Sequence, residues 1–586
     1  VLRLISGRGD MIHDTIGWTD YNGVEYAPAI FAGLAAGDVD GDGLYEIVTM
    51  VTESDMISCH PALYEISSDG TLTLERVSEE ELWCNDSGGF DNHSSHAPAL
   101  GDIDNDGTIE VLYGDSVYEG SDLTLRFSGG SGAAWLNSWF EVGGYWNSGF
   151  HSFFYDVDGD ETTLEIVAGK TIYNHDGTVY CELDSGNATD GYPALADISS
   201  EYSGPEVVIT ANQYVSLYST DGGNCELISS LPNSPYEDTT IASYLEAEHP
   251  DCNTSRSSFG GPPTIADFDG DGQSEIGVSG ACWYTIYKLN PSTGLFRYAM
   301  APTRDWSSAS TGSTVFDFDG DDQAEIVFSD EEALYVWGID QNQSNPWHKL
   351  VPYLIDDNHN SWTIHEYPLV VDIDSDGKAE ILVLNSPRPN PNNTTSILDE
   401  YGIYVLGAAD DNWVSARQWW NQHAYYVNNI EEDGSIGLAS PNYAPYDNRN
   451  LNSFRQQAPG SFGAKVAPNL ILQGDEPCQE ECGDFSIWLQ VGNEGEFITA
   501  SAGLALSIYG VSGSNYTLLD SKAIPFDVYP GVLSEGIQFE ISNWSGYDYL
   551  EAIIDDPELS ADSWGASKEC NEADNTFAIY TDSLCP

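Results

Sequence analysis

The sequence predicts an all-β protein, in which a seven-bladed β-propeller is followed by an immunoglobulin-like β-sandwich. Three observations predict it: an acidic motif that recurs seven times, β-type runs between the copies, and five further strand-like runs after the last copy. Helical spacing of apolar residues at i, i+3 and i+4 is nearly absent. The expected domains are the propeller over 1–410, an aromatic-rich extension over 411–465 and the sandwich over 466–586.

The recurring motif sets the predicted blade. It reads apolar residues, Asp-x-Asp-x-Asp-Gly, two spacers, Glu, and two or three mostly apolar residues. Successive first aspartates lie 41 to 70 residues apart, which brackets the roughly 40–50 residues of a four-stranded blade with variable loops. The copies are GDVDGDGLYEIV (37–48), GDIDNDGTIEVL (101–112), YDVDGDETTLEIV (155–167), ADISSEYSGPEVV (196–208), ADFDGDGQSEIG (266–277), FDFDGDDQAEIV (316–327) and VDIDSDGKAEIL (371–382).

The acidic loops predict calcium sites. Aspartates at loop positions 1, 3 and 5 point inward, the carbonyl of position 7 adds a neutral oxygen, and the acid at position 9 completes the shell. Glycine at position 6 permits the sharp turn. Calcium takes six to eight oxygen ligands with tolerant geometry, whereas magnesium demands a strict octahedron. Carboxylates packed without a cation repel. We therefore expect four to six calcium ions.

The expected ligands follow from these loop positions. Four loops are intact: Asp38, Asp40, Asp42, Leu44 and Glu46; Asp102, Asp104, Asp106, Thr108 and Glu110; Asp267, Asp269, Asp271, Gln273 and Glu275; and Asp372, Asp374, Asp376, Lys378 and Glu380. A fifth loop has Asp322 in place of glycine and offers Asp317, Asp319, Asp321, Gln323 and Glu325. A sixth has Glu161 in place of glycine and one extra residue, and offers Asp156, Asp158, Asp160 and Glu165. The remaining copy keeps Asp197 and Glu206 but has Ser199 and an insertion, so we expect no metal there.

These seven copies resemble the FG-GAP (VCBS) repeats of bacterial surface proteins and of the integrin α-subunit propeller. The resemblance covers most of the first two thirds of the chain. It implies that the loops bind calcium and that the propeller serves adhesion or recognition. In the last third, VGNEG (491–495) and ECNEADN (569–575) resemble bacterial CARDB-like modules.

The last 120 or so residues and the extension before them carry separate signals. Strand-like runs at 487–491, 502–509, 516–519, 537–541 and 549–554 are separated by Gly, Asn and Ser turns, the pattern of an immunoglobulin-like sandwich.

The aromatic residues of the extension leave two interpretations open, a ligand site or a plug that packs the extension onto the propeller. They are Trp413, Trp419, Trp420, His423, Tyr425 and Tyr426.

Charge and cysteine content limit the partners and the compartment. With 18 basic and 95 acidic residues, the net charge of −77 excludes nucleic acid, because no clustered Lys and Arg can displace the counterions of phosphates. No apolar run is long enough to form a transmembrane segment. The chain begins at Val1 without a signal-peptide pattern, so we expect a processed, mature chain. Ten cysteines without paired zinc-type motifs predict disulfides and an extracellular location, with buried free thiols as the alternative for some of them.

The leading functional interpretation is a calcium-binding, non-enzymatic adhesion or structural protein of a bacterial surface or matrix. Its expected partners are a protein or glycan, or further copies of the chain in a surface fibre. HExxH and G-x-S-x-G motifs are absent from the sequence. The alternative is a carbohydrate-binding or carbohydrate-active propeller, a lectin or polysaccharide lyase.

The alternative draws on the segments that precede the predicted first strands, which should share the face opposite the acidic loops. Their aromatic and histidine side chains suit either stacking on sugars or packing between blades. They include Trp18, Tyr21, Tyr26, His93, His96, Trp135, Trp139, Trp146, His151, Tyr192, Trp306, Trp362, His365 and Tyr367.

Closure of the ring is the last expectation. The apolar segment 1–5 is expected to pair with 401–406 within the chain, or to be donated to a neighbouring copy.

Overall fold

The computed structural model of the chain describes most of the predicted repeats and part of the last third. The described residues are 1–7, 12–29, 32–54, 58–67, 69–83, 96–132, 151–160, 162–183, 190–211, 213–235, 243, 260–305, 311–321, 323–357, 359–361, 363, 366–374, 378–386, 402–409, 413–431, 434–437, 451–458, 470–474, 477, 479, 483–493, 503–513, 515–526, 528, 533–534, 536–555 and 575–579.

The chain divides into two compact units. The first unit contains 1–413 and 418–458, and the second contains 414–417 and 459–586. In the described residues the named elements are β-strands and three short 3-10 helices, Asp221–Gly223, Pro346–His348 and Val427–Asn429. None of the helices in these ranges has the length and apolar character needed to cross a membrane. An all-β fold is thus confirmed.

Besides a two-stranded N-terminal sheet, the described part of the first unit contains seven antiparallel sheets that follow one another along the chain, here numbered sheets 1 to 7. In sheets 2 to 6, four strands pair in sequence order. Sheet 2 has Ala99–Gly101, Glu110–Tyr113, Ser116–Glu119 and Leu125–Ser128; sheet 3 has Phe153–Tyr155, Glu165–Ala168, Thr171–Tyr173 and Val179–Glu182; sheet 4 has Tyr192–Ala196, Glu206–Ala211, Tyr214–Ser219 and Leu227–Pro232. Sheet 5 has Thr264–Ala266, Glu275–Ser279, Trp283–Asn290 and Gly294–Pro302; sheet 6 has Thr314–Phe316, Glu325–Ser329, Leu334–Ile339 and Leu350–Asp356.

Sheets 1 and 7 differ from this four-stranded arrangement. Sheet 1 contains the four strands Ala35–Gly37, Tyr45–Glu53, Ser58–Ile66 and Leu72–Val77, and adds Thr19–Tyr21, Val24–Pro28 and Leu82–Trp83. Sheet 7 contains Leu369–Val371, Glu380–Asn385 and Gly402–Leu406 in the described part of the chain. We call Ala35–Gly37 the first strand of sheet 1, because it precedes the acidic loop as the first strands of the other sheets do.

The first strands lie next to one another. Those of sheets 1 and 2, 2 and 3, 4 and 5, 5 and 6, and 6 and 7 are in contact. They are short and buried, as Ala99, Ala194 and Ile265 illustrate with no exposed surface. Their side chains share cores with neighbouring sheets, since one cluster joins residues from sheets 2, 3, 4 and 5.

One segment reaches the first strand, or the residue directly after it, in every sheet. We call residues 418–458 the connector. Its side chains and backbone supply hydrogen bonds to groups that the sheets leave unpaired. The bonds join Ala36 N to Asn421 O (2.9 Å), Leu100 N to Gln422 Oε1 (2.9 Å), Tyr426 Oη to Phe154 O (2.8 Å), Asp197 N to Asn452 Oδ1 (2.8 Å), Phe454 N to Ile265 O (2.9 Å), Gln457 N to Val315 O (2.8 Å) and Gln457 Nε2 to Val370 O (2.9 Å).

The aromatic residues of the connector are part of this packing. Tyr425 and Tyr426 are buried, and the Trp420 ring stacks on Tyr425 at 4.2 Å between centroids. Tyr426 packs against Tyr155 at 5.0 Å. These contacts favour the packing interpretation of the extension over a ligand site.

The N-terminal strand has a different partner from the expected one. Leu2–Ile5 pairs antiparallel with Ile12–Ile16 in a two-stranded sheet, with Leu2 opposite Ile16. The pairing of 1–5 with 401–406 is therefore wrong, and Gly402–Leu406 pairs with Glu380–Asn385. The alternating apolar pattern of Leu2 and Leu4 is satisfied locally, because Leu2 is buried in a core with Tyr26 and Val51.

The second unit contains two antiparallel sheets around one core. The first has the order Leu470–Gly474, Phe485–Asn493, Ile537–Ile541, and the second has the order Asn515–Ala523, Ala505–Ser512, Tyr549–Ile554, Thr576–Ile579. Leu489 from one sheet and Ile508 from the other belong to the same buried cluster. The strand-like runs at 537–541 and 549–554 are found with the predicted bounds.

Three of the described cysteine environments are oxidised. Cys181 and Cys225 form a disulfide with a Cα–Cα distance of 5.7 Å. Cys59 and Cys282 are also disulfide-bonded, and their neighbours in sequence, Cys84 and Cys252, lie outside the described residues. Cys478, Cys482, Cys570 and Cys585 lie outside them as well.

The connector's Gln457 gives a test of this architecture. Its Nε2 donates to Val370 O and Trp419 O, both at 2.9 Å, and its Oε1 accepts from Tyr425 Oη at 2.9 Å and Ala458 N at 3.0 Å. Because Gln457→Leu leaves these buried groups unsatisfied, we expect a loss of about 3 kcal/mol in the free energy of unfolding of the first unit. Urea denaturation measures it. The exposed Gln343→Leu is the control, with an expected change within about 0.5 kcal/mol; equal effects of the two variants would contradict the proposed role of the connector.

Candidate metal centres

In sheets 1 to 7 a buried glutamate stands at the start of the second strand, where it is the first residue in sheets 2 to 7 and the second residue in sheet 1. In each sheet it is paired with the last residue of the first strand, as in Gly37 with Glu46 and Gly101 with Glu110. One carboxylate oxygen accepts a hydrogen bond from the backbone N–H two residues after that first strand. The bonds are Val39 to Glu46 (2.7 Å), Ile103 to Glu110 (3.0 Å), Val157 to Glu165 (2.9 Å), Ile198 to Glu206 (2.7 Å), Phe268 to Glu275 (3.1 Å), Phe318 to Glu325 (2.9 Å) and Ile373 to Glu380 (3.1 Å).

The aspartates at position 1 fold the loops. Asp38 accepts from Gly41 N at 2.9 Å and Gly43 N at 3.1 Å, and Asp267 accepts from Gly272 N at 2.7 Å. The position-6 glycines of the three described intact loops have positive φ of 86 to 89°, which side chains rarely adopt. They are Gly43, Gly107 and Gly272.

The structure brings the predicted ligands together in five loops. Oxygens of three acidic residues lie within 4.8 Å of one another in each loop, namely Asp38, Asp40 and Asp42; Asp102, Asp104 and Glu110; Asp156, Asp158 and Glu165; Asp267, Asp269 and Asp271; and Asp317, Asp319 and Glu325. In the sheet 7 loop, Asp376 lies outside the described residues, as do Asp322 and Glu161 at the exceptional glycine positions.

The residues at positions 5 and 7 are linked through the backbone. Leu44 N donates to Asp42 at 2.8 Å, and Thr108 N donates to Asp106 at 2.8 Å. Gln273 and Gln323 donate in the same way to Asp271 and Asp321, at 3.0 and 2.9 Å. The role of the position-7 carbonyls of these residues and of Lys378 as ligands stays a prediction.

Buried oxygens without a hydrogen-bond partner test whether a cation fits. The second oxygen of Glu46, Oε1, is buried without a partner, although Glu46 has no exposed surface. Burying an unpaired carboxylate is costly, so a cation or a proton must balance it. Oxygen-rich sites of this kind suit a hard divalent ion, and the donor set therefore fits calcium.

Burial also changes the ionisation of these glutamates. Burial raises the pKa of six of them, and nearby aspartates contribute in the same direction. The backbone N–H bond opposes the shift in five of the six, and Lys288 opposes it for Glu275. The pKa is about 7 for Glu46 and about 8 for Glu110, Glu165, Glu206, Glu275 and Glu325. A metal-free loop is thus partly protonated near neutral pH.

In two loops a basic side chain from the third or fourth strand forms ion pairs with the acidic residues, which the sequence analysis missed. Arg126 in the fourth strand of sheet 2 binds Asp104 through Nη2 and Glu110 through Nη1, the latter at 2.9 Å. Lys288 in the third strand of sheet 5 places Nζ 2.8 Å from Asp269, 2.7 Å from Asp271 and 2.9 Å from Glu275. The register opposite the buried glutamate was the signal that could have identified Lys288.

The loop of sheet 4 keeps the glutamate and lacks the acidic set. Glu206 accepts from Ile198 N at 2.7 Å and Ser199 N at 3.1 Å. Asn452 of the connector binds the backbone of Asp197. The backbone function of the glutamate is therefore independent of the position-3 and position-5 aspartates.

A cavity of about 620 Å³ lies beside the loop of sheet 6. Its walls include the rings of Phe318, Tyr353 and Trp413 and the carboxylates of Asp319 and Glu325. Phe318 and Trp413 are in ring contact at 4.7 Å, and Tyr353 is 64% exposed.

The aromatic residues expected on the opposite face are mostly packed where they are described. Tyr26, His96, His151 and Tyr192 are buried, and Trp18 is exposed. His93, Trp135, Trp139, Trp146, Trp306, Trp362 and His365 lie outside the described residues.

Comparison with known proteins identifies one of the repeats. Residues 317–383, which run from the acidic loop of sheet 6 into the second strand of sheet 7, match the profile of the FG-GAP-like repeat. The chain contains an FG-GAP-like repeat.

Similar solved structures include the V. cholerae biofilm matrix protein Bap1, at 16% identity and a TM-score of 0.45, covering 73% of this chain and 84% of that one. Another is the Photorhabdus luminescens Tc holotoxin pore, at 13% identity and a TM-score of 0.24, covering 58% and 16%. No curated protein matches the chain.

The raised pKa values predict how metal-free protein responds to pH. The folded glutamates have pKa values of about 7 to 8, above the roughly 4.3 of an unfolded chain. Their contribution to stability is therefore complete below about pH 4 and is lost as pH rises through about 8. Buried His359 acts oppositely, since burial lowers its pKa to about 4 and stability is lost as pH falls from about 6.5.

We expect chelated protein to melt at a higher temperature at pH 6 than at pH 8.5, measured by calorimetry. Glu206→Gln should reduce this difference, because it removes one titrating group from a loop without the acidic set. Equal melting temperatures at the two pH values in chelator would show that the glutamates do not titrate in this range.

Proposed function

We propose that the protein is a calcium-binding, extracellular adhesion or structural protein of a bacterial surface or matrix, and that it is not an enzyme. One observation carries the proposal. The same acidic loop recurs at the same register in successive sheets, and in sheet 1 the buried Oε1 of Glu46, which interacts electrostatically with Asp38 and Asp40, has no hydrogen-bond partner. Ions bound in each repeat would stabilise the folded state, which suits an adhesion or structural protein.

The proposed fold is a seven-bladed propeller with an immunoglobulin-like, CARDB-like second unit. The contacts between successive first strands support a radial arrangement of the sheets. The connector supports it further, because a single segment can bond the first strands of seven sheets only where those strands converge. Two sheets around one core support the sandwich.

The extracellular location is supported by chemistry of the chain itself. The Cys181–Cys225 disulfide and the oxidised Cys59 and Cys282 suit an oxidising compartment. Loops that need calcium also suit calcium-rich surroundings. Partners in this proposal are a protein or glycan of the surface or matrix, or further copies of the chain in a fibre.

A second candidate function is carbohydrate binding, as a lectin or polysaccharide lyase. It is favoured by the cavity beside the sheet 6 loop. Aromatic walls and carboxylates in one concave site suit sugar rings, which stack on aromatic faces and donate hydrogen bonds from their hydroxyls.

The calcium proposal predicts four to six ions per chain by elemental analysis, and a lower melting temperature after chelation, because ligand binding to the folded state stabilises it by mass action. Asp40→Asn should remove one ion by weakening the sheet 1 loop. Asp221→Asn, in an exposed 3-10 turn, is the matched control and should leave the count unchanged. Fewer than three ions in the wild-type chain would overturn the proposal.

The two functional classes make different predictions for polysaccharides. A non-enzymatic adhesion protein should release no unsaturated or reducing ends from a panel of polysaccharides. Cleavage of any of these polysaccharides would contradict the proposal that the protein is not an enzyme. Binding on a glycan array that is lost in Tyr353→Ala, and retained in the similarly exposed Tyr516→Ala of the second unit, would favour the carbohydrate-binding alternative.

A further inference from the structure

Two positions on the outer strands of each four-stranded sheet lie beside the acidic loop. The first stands opposite the buried glutamate on the third strand. Glu46 pairs with Glu65, Glu110 with Glu119 and Glu206 with Ser219. In sheet 5, Ile276 pairs with Tyr287, so the antiparallel register places Lys288 opposite Glu275.

The second position is a β-bulge on the fourth strand. In each of sheets 1 to 6 the register shifts at the same place, leaving one residue of the fourth strand without a direct partner. A bulge of this kind re-aims a side chain. The bulge residues are Glu75, Arg126, Tyr180, Ile228, Tyr298 and Tyr353 in sheets 1 to 6.

Most of these bulge side chains interact with the loop of their own sheet. Burial and the charges of Asp40 and Asp42 raise the pKa of Glu75 against the lowering effect of Arg76. Burial and the sheet 6 carboxylates raise the pKa of Tyr353. Arg126 makes direct ion pairs. The bulge position therefore places a side chain beside the loop, and in sheets 1 and 2 this side chain, Glu75 or Arg126, carries a charge.

In the sheet 5 loop, a basic residue at the third-strand position, Lys288, occupies the space between the acidic side chains. Lys288 Nζ lies 2.7 to 2.9 Å from one oxygen of each of three residues predicted to hold the metal. Calcium would need those oxygens at 2.3–2.6 Å around one centre. An ammonium group held at that centre and a calcium ion would repel strongly, so the two exclude each other.

In the sheet 2 loop, Arg126 neutralises the acidic side chains in place of a lysine. Arg126 divides its guanidinium between Asp104 and Glu110, and its Nε lies 3.9 Å from Glu119. The Glu110 side chain has no exposed surface and that of Arg126 is 25% exposed, so solvent screens the pair only partly.

We propose that Arg126 and Lys288 act as built-in counter-ions that replace calcium in the loops of sheets 2 and 5. The inference rests on the proposed calcium function and refines it. The two loops are then neutralised by the chain itself, and calcium binds in sheets 1, 3, 6 and 7. The sheet 1 loop, with Glu65 and Glu75 at the two positions, is the tightest site because added carboxylates increase the attraction for the ion.

The test measures calcium stoichiometry at one fixed free calcium concentration, by equilibrium dialysis and elemental analysis. Arg126→Tyr places in sheet 2 the residue found at the bulge of sheets 3, 5 and 6. Lys288→Asn places in sheet 5 the residue that stands opposite Glu165 in sheet 3. Each variant should bind one ion more than the wild-type chain, and the double variant two more. The exposed Arg3→Met, which changes the net charge equally, should bind the wild-type number.

A reverse variant keeps the test decisive if removal of a buried cation impairs folding. Glu75→Arg copies the sheet 2 arrangement into sheet 1 and should bind one ion fewer, with circular dichroism checking that the sheets are intact. A wild-type chain that binds six ions, or a folded double variant that binds no more than the wild type, would overturn the inference while leaving the calcium function standing. A wild-type chain without calcium and a double variant with two ions would overturn the calcium function of the wild-type loops while supporting the counter-ion role of Arg126 and Lys288, and absence of ions from both chains would overturn both.

Discussion

The seven buried glutamates impose the constraint on which the first unit depends. Each one is needed by the backbone, because its carboxylate accepts a hydrogen bond from the N–H of the second residue of the acidic loop, as Glu46 does from Val39. The same carboxylate is buried among aspartates, and burial favours its neutral form, as the raised pKa of Glu165 shows. The fold therefore requires a buried carboxyl group that must either take up a proton or be balanced by a positive charge.

The second constraint is hydrogen bonding at the first strands. These strands are three to five residues long and buried, so their free backbone groups face protein and not water. The connector satisfies them with amide side chains such as Gln422 and Gln457, which donate and accept at once. This explains why a segment full of Asn and Gln, residues that are mostly exposed in proteins, is buried in the first unit.

What the sequence could predict follows from what is local. The acidic motif fixes a turn and the strand after it within about a dozen residues, so the loops, the glutamate and the strand pairing on either side were all predictable. The positive φ of Gly43 and Gly107 follows from the same pattern. The partner of the N-terminal strand was not predictable, since Leu2–Ile5 is equally apolar whether it pairs with Ile12–Ile16 or with a distant edge. Arg126 and Lys288 were missed because their partners lie 16 and 13 residues or more away, and only the register of the outer strands reveals the contact.

The repeats thus solve one electrostatic problem in more than one way. Sheet 1 collects carboxylates and leaves Glu46 Oε1 buried without a hydrogen-bond partner, and sheets 2 and 5 provide a cation from the chain. Sheet 4 replaces an aspartate with Ser199, keeps the backbone role of Glu206, and leaves Glu206 Oε1 buried without a hydrogen-bond partner, as in sheet 1. The glutamate accepts the same backbone hydrogen bond in sheets 1, 2, 4 and 5, although their loops differ in charge. The glutamate, and not a bound metal, is therefore the common element of the repeat. The residues around each glutamate then determine how its charge is balanced, and in the proposed function a protein with a net charge of −77 depends on calcium in some sheets and not in others.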